Sequence, residues 1–285
     1  MESSILTSVV LPLSLAIIML GMGLSLVVND FKRVFKYPTA ALIGLTNQLI
    51  LLPLIGFSLA LLFNLPPELA VGLMILAACP GGTTSNLITH VSRGDIALSI
   101  TLTAIASVIT VFTIPLIVSF ALVYFINDGN TVIELPIVRT IVQIMGITIV
   151  PVSIGMIIRK FNTPFADRME KPMRIASTII FVAVVLGIIA ANRNIIMDAL
   201  LKLGEVTIAL NVITMLLGYY SARFFKLNLK ESISITIESG VQNGTLGIVI
   251  ATTILQHNEM SLPSAIYGLI MFFTAGFIMW YFGRR

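Results

Sequence analysis

A single carboxylate, Glu238, lies inside the otherwise uncharged stretch Ser234-Ile235-Thr236-Ile237-Glu238-Ser239-Gly240-Val241-Gln242-Asn243-Gly244. The other twelve acidic residues sit at or near the ends of hydrophobic segments, where water or headgroups solvate them. A charge within a membrane helix costs about 2.5–3.5 kcal/mol on the insertion scale, so such a residue is a functional candidate by default. A second polar cluster, Cys79-Pro80-Gly81-Gly82-Thr83-Thr84-Ser85-Asn86, combines helix breakers with hydroxyl and amide oxygens. Between the two, Ser99, Thr103, Ser107, Thr110 and Thr113 recur every three or four residues and share one face of a helix. Ser99 and Thr103 enter from the same end as Ser85; for the outer three, hydrogen bonding between helices is the simpler role. Thr46-Asn47-Gln48 adds amides that need partners in an apolar setting, and Asn211 needs a structural hydrogen bond.

One carboxylate with hydroxyl, amide and backbone oxygens is hard-cation chemistry. One acid falls short of a calcium or magnesium site, which draws on several carboxylates. A monovalent cation suits one negative charge, and sodium is the candidate. Transition-metal and nucleophilic chemistry find no support: the chain has one cysteine, Cys79, and two histidines, His90 and His257, placed near opposite membrane faces. No nucleophile–base pair can be named, so the chain is read as not an enzyme, without a disulfide.

The elements that position these groups are membrane helices. Hydrophobic residues make up 57% of the chain and charged residues 11%, and mean hydropathy is +1.04. Soluble domains carry charge near 25%. The sequence predicts an all-α polytopic membrane protein with nine spans near 5–28, 38–63, 67–89, 96–125, 136–158, 175–197, 204–222, 232–256 and 262–282. The first span is too long, and lacks the basic lead-in, for a cleaved signal. Alternating the loops from an external N-terminus puts 14 of the 17 basic residues on the cytoplasmic side, leaving Arg139, Arg193 and Lys202 outside. The orientation is therefore N-out and C-in, and the net charge of +4 reflects topology rather than a nucleic-acid surface. Residues 159–174, with Pro164 and Pro172, read as a cytoplasmic linker, and 126–135 as a polar external turn.

Spans three and eight carry the two polar clusters and run in opposite directions. A repeat relating them must be inverted, with spans one to four (about 1–125) matching spans six to nine within about 136–285, and span five unmatched. The whole of 1–285 is then one transporter domain in a 4+5 arrangement. Paired broken helices in corresponding halves are the best sequence pointer to a transporter binding site.

Here the residues reach a resemblance. Cys-Pro-Gly-Gly-Thr-Thr-Ser-Asn at 79–86, Ser-Arg-Gly-Asp-Ile-Ala-Leu-Ser at 92–99 and Glu-Ser-Gly-Val-Gln-Asn-Gly at 238–244 resemble the bile acid:sodium symporter family, its bacterial members in particular. Gly-Met-Gly-Leu-Ser-Leu at 21–26, the Gln48 segment and Asn64–Ala70 add to the likeness, which covers nearly the whole chain. The chain aligns from the second helix of ten-helix members. The resemblance implies a core and a panel domain, two broken helices crossing in the core, a bacterial inner-membrane location and two sodium sites. The first site would be Ser85, Asn86, Ser99, Thr103 and Glu238. The second would be Gln48, Glu238 and Gln242 with main-chain oxygens of Ser239 and Val241. Thr83, Thr84, Asn243 and Gly244 would face the substrate, a small organic anion such as a keto acid or pantoate, or one resembling a bile acid. Many relatives carry His-Asn midway along the last helix; Phe272-Phe273 stands there in this chain. The expected activity is sodium-coupled symport by alternating access. The alternative is proton coupling with Glu238 as the carrier. A receptor that does not transport is a third reading, unsupported by the loops.

Overall fold

The computed structural model describes residues 9–126, 135–191 and 196–284, and side chains outside 191 and 196–201. Residues 5–8 of the first expected span, 127–134 of the turn expected over 126–135, 192–195 of the span expected over 175–197 (Arg193 among them) and Arg285 lie outside the described residues. In chain order the helices are α1 Leu11–Ser25, α2 Val28–Lys32, α3 Pro38–Thr46, α4 Leu52–Leu62, α5 Pro67–Ala78, α6 Ser85–Val91 and α7 Ile96–Phe125. Then follow α8 Ile137–Phe161, α9 Thr163–Ala191, α10 Ile196–Phe224, α11 Leu229–Gly240, α12 Gly244–Val249 and α13 Leu262–Gly283.

Six helices among the described residues are long and apolar enough to cross a membrane, and α1 with α2 makes a seventh if the bent pair is one span. That pair bends by 79°, because Leu26 and Val27 are extended and α2 starts afresh. Asp30 Oδ2 accepts the Val27 N–H at 2.7 Å, and Asp30 Oδ1 meets Arg33 at 2.7 Å, so the restart is capped. The expected spans 67–89 and 232–256 are each two short helices rather than one continuous helix. α5 stops at the extended Cys79 and α6 starts at Ser85; α11 stops at Gly240 and α12 starts at Gly244.

One expectation is overturned. Residues 163–174 are not a linker but the opening turns of α9, separated from α8 by Asn162 alone. Pro164 sits in the first turn, where its missing N–H would be unpaired anyway, and Asn162 Oδ1 caps the Phe165 N–H at 3.1 Å. Of the mixed charges that suggested a linker, Lys160, Asp167, Arg168, Glu170 and Lys171 are exposed while Arg159 and Arg174 are half-buried, and Asp167 pairs with Arg159 at 3.1 Å.

α1 packs on α8 and α9, while α10 packs on α11 and α13, and α5 on α4 and α7. Gly23 and Gly155 let α1 and α8 touch backbone to backbone: a Cβ at either would strike a main-chain oxygen of the other helix. The basic connections gather at one end of the bundle. Asp95 N–H donates to Lys230 O at 3.2 Å, Arg159 reaches Leu24 O at 2.8 Å, and the α13 end at Gly283 abuts Val91.

Candidate cation site at the helix crossing

The two breaks meet. Gly82 N–H donates to Val241 O at 2.8 Å and Asn243 N–H to Pro80 O at 2.9 Å, forming an antiparallel bridge between Gly81 and Gln242. Proline and glycine stop α5, so its freed backbone is paired with the break in α11 rather than left to lipid. Asn228 and Glu231 form a reciprocal cap at 3.0 Å that starts α11. Two turns later the same helix delivers Glu238, 1% exposed, beside the crossing. Asp95 caps α7 through the Leu98 N–H at 3.0 Å, setting Ser99 and Thr103 one turn apart on the face toward α11.

Around the carboxylate, Ser85 Oγ lies 2.5 Å from Glu238 Oε1, Ser99 Oγ 2.6 Å, and Thr103 Oγ1 2.9 Å from both carboxylate oxygens. Ser99 Oγ is also 2.9 Å from Asn86 Oδ1, and Thr103 Oγ1 3.0 Å from Ser99 O. Three hydroxyl hydrogens thus face six short oxygen contacts, so no contact set here can give each oxygen pair a hydrogen of its own. Neither ion pair found among the described residues involves Glu238. The cluster is oxygen-rich and short of positive charge, which is what an alkali cation supplies.

On the other side, Gln48 sits in a widened π turn, Asn47–Leu51, just ahead of Pro53. Such turns recur at functional sites. Gln48 Nε2 approaches Gln242 Oε1 at 3.4 Å, and Gln242 Nε2 donates to Ser239 O at 3.0 Å. Gln48 Oε1 is buried with no donor, as is Ser239 Oγ. A buried amide oxygen without a donor, on the side chain whose nitrogen meets Gln242, is available as a cation ligand. Val241 O is engaged by Gly82 N–H and keeps one lone pair. Gly81 has no room for a side chain: a Cβ there would land on Glu238 Oε2.

The structure therefore brings Ser85, Asn86, Ser99, Thr103 and Glu238 into one cluster and sets Gln48, Ser239 and Gln242 against it. Thr83 and Thr84 line an open cavity of about 450 Å³ that also touches Asn86, His90, Arg174 and Ser177. Asn243 and Gly244 line a smaller adjoining recess with Phe181 and Phe272; the Asn243 side chain caps α12 through Leu246 N–H at 3.1 Å. Phe273, by contrast, is 81% exposed on the outer surface. Ser107 and Thr110 donate to carbonyls of their own helix rather than across helices. Sequence reasoning missed Thr89, whose hydroxyl lies 3.3 Å from Ser99 Oγ, although it falls one turn past Ser85 on the same face. It also missed Arg174, which reads as a topology charge until α9 is seen to start early.

The profile of the sodium bile acid symporter family matches residues 12–199, two thirds of the chain, including Gln48, the first break and the α7 hydroxyls. The chain belongs to that family. The uncharacterized sodium-dependent transporter YocS of Bacillus subtilis is 31% identical over 95% of this chain and 82% of its own length. The human ileal sodium/bile acid cotransporter is 29% identical over 85% of this chain and 69% of its own length. The probable chloroplastic sodium/metabolite cotransporter BASS1 of Arabidopsis thaliana is 29% identical over 88% of this chain, which spans 61% of that protein. The family is one of sodium-dependent membrane transporters, not enzymes.

Proposed function

We propose that this chain is a sodium-coupled symporter of a small organic anion that works by alternating access. The observation that carries the reading is the buried Glu238 carboxylate at the crossing of two broken helices, ringed by more oxygens than the available hydrogens can serve. Ser85, Asn86, Ser99, Thr103 and Glu238 would hold one sodium ion. Gln48, Glu238, Gln242 and the carbonyls of Ser239 and Val241 would hold a second. Thr83 and Thr84 in the cavity, with Asn243 and Gly244 in the adjoining recess, would meet the anion. Phe272 and Phe273 stand in place of a polar pair and Phe272 lines the recess, which favours a keto acid or pantoate over a bile acid.

Nine crossings fit the same account: six continuous helices, the bent α1–α2 pair and the two broken spans, arranged as an inverted 4+5 repeat. α1, α8 and α9 would form the panel and the remaining helices the core. The shared basic end would face the cytoplasm of a bacterial inner membrane, N-out and C-in. The cavity reaches Arg174 near that end, so this conformation would be inward-facing. Two sodium ions against Glu238 leave the site at net +1, and a monocarboxylate neutralises it. The cycle would move one net charge inward, worth about 2.3 kcal/mol per 100 mV. Occupied ion sites would fix the crossing that the anion then binds, which is the source of coupling.

Uptake of labelled pantoate and pyruvate into proteoliposomes, in sodium against choline at fixed pH and imposed voltage, tests this. Uptake should need sodium and rise with inside-negative potential. Uptake that ignores sodium but follows a proton gradient would instead assign Glu238 as a proton carrier.

A further inference from the structure

We infer that Asn211 and Tyr267, which hydrogen-bond to Gly240 and to each other, are positioning residues that set the geometry of the second sodium site by pinning the Gly240 carbonyl. The inference rests on the sodium reading above and extends it to α10 and α13. The last carbonyls of a helix lack intrahelical donors. In α11, Ile237 O takes the Val241 N–H at 2.8 Å, and Ser239 O takes Gln242 Nε2 at 3.0 Å. Gly240 O is met from outside its own helix: Asn211 Nδ2 donates to it at 2.8 Å and Tyr267 OH at 2.9 Å. The second Asn211 N–H donates to Tyr267 OH at 3.0 Å, which closes a triangle. Both side chains are 0% exposed, so no water competes for these bonds.

Gly240 is where the helical path ends, and without a Cβ its peptide is the freest to turn. The carbonyls on either side of it, Ser239 O and Val241 O, are the two main-chain oxygens assigned to the second ion. Releasing Gly240 O lets both neighbouring peptides rotate. Holding it aims them. α10 backs the same segment closely, since Met215 covers Gly240 and Ser239 Oγ packs at Gly218. The tie therefore joins α10, α11 and α13 at the break. Supporting groups one bond removed from ion ligands affect affinity by about 10–100-fold when lost.

The test is a sodium titration of thermal stability at constant ionic strength, with choline as the replacing cation, on the purified full-length protein, Tyr267→Phe and Asn211→Ala. In wild type, sodium should raise the melting temperature, because a ligand of the folded state stabilises it. For Asn211→Ala the half-saturating sodium concentration should rise about tenfold. Tyr267→Phe keeps the ring and one of the two bonds to Gly240 O, so its rise should be about threefold, one neutral hydrogen bond. A merely structural tie would lower melting in choline yet leave half-saturating sodium unchanged, and that result overturns the inference. If Asn211→Ala does not fold, Tyr267→Phe decides alone. A wild type that sodium does not stabilise refutes the sodium reading first, and this role with it.

Discussion

On one flank of Glu238, three hydroxyls from α6 and α7 close to 2.9 Å or less; on the other, the amides of Gln48 and Gln242 are 3.4 Å apart and one oxygen has no donor. The first flank is built from side chains on regular helix, where i and i+4 hydroxyls are held by backbone geometry. The second depends on a π turn, a helix end and main-chain oxygens at a break. The hydroxyl flank is therefore set in advance. The amide flank takes its shape from how the broken helices cross, which makes it the part of the site suited to report conformation.

Replacing what the two flanks share should do the most. Glu238→Gln removes the charge from both, and half-saturating sodium should rise by more than about 100-fold, since contacts to a charged group contribute about 1.5–3 kcal/mol each. Size-exclusion profiles should stay normal, because losing a buried charge does not oppose insertion. Gly81→Ala drives a methyl into Glu238 Oε2, and sodium affinity measured by thermal shift should fall by about 10–100-fold, as for other disturbed ligand shells. The double variant Ser99→Ala with Thr103→Ala strips the hydroxyl flank only. It should weaken sodium binding about tenfold and flatten the sodium dependence of uptake toward that of a single ion. Gln48→Leu, which removes the orphaned oxygen, should have the smallest effect, about threefold, with the same flattening of the sodium curve. Equal effects of the last two on stability but none on sodium dependence would erase the distinction between the flanks.

The hydroxyl flank was legible from spacing, because Ser99 and Thr103 recur at helical period and a lone acid in an apolar run has few explanations. The meeting of the two breaks was expected only through the resemblance, which implied broken helices crossing in the core, and Asn211 found the structural partner its burial demanded. The amide flank was less legible from the residues themselves. Pro53 stands five residues past Gln48, but nothing in a hydropathy pattern distinguishes a π turn from a regular one. Pro164 and Pro172 suggested a linker because a proline's position within a helix, first turn or interior, cannot be known before the helix start is. That error hid Arg174 from the cavity. Gly81 announced a break, while its closeness to Glu238 depends on α11, 157 residues away in sequence.

The central claim is that sodium, and not a basic side chain or a proton, balances Glu238. Equilibrium binding of radioactive sodium to the purified protein at fixed pH, wild type beside Glu238→Gln, measures this directly. The account predicts saturable binding of about two ions per chain in wild type, from one carboxylate shared by two oxygen sets, and none in the variant. Binding that survives in Glu238→Gln, or is missing from wild type, would contradict it.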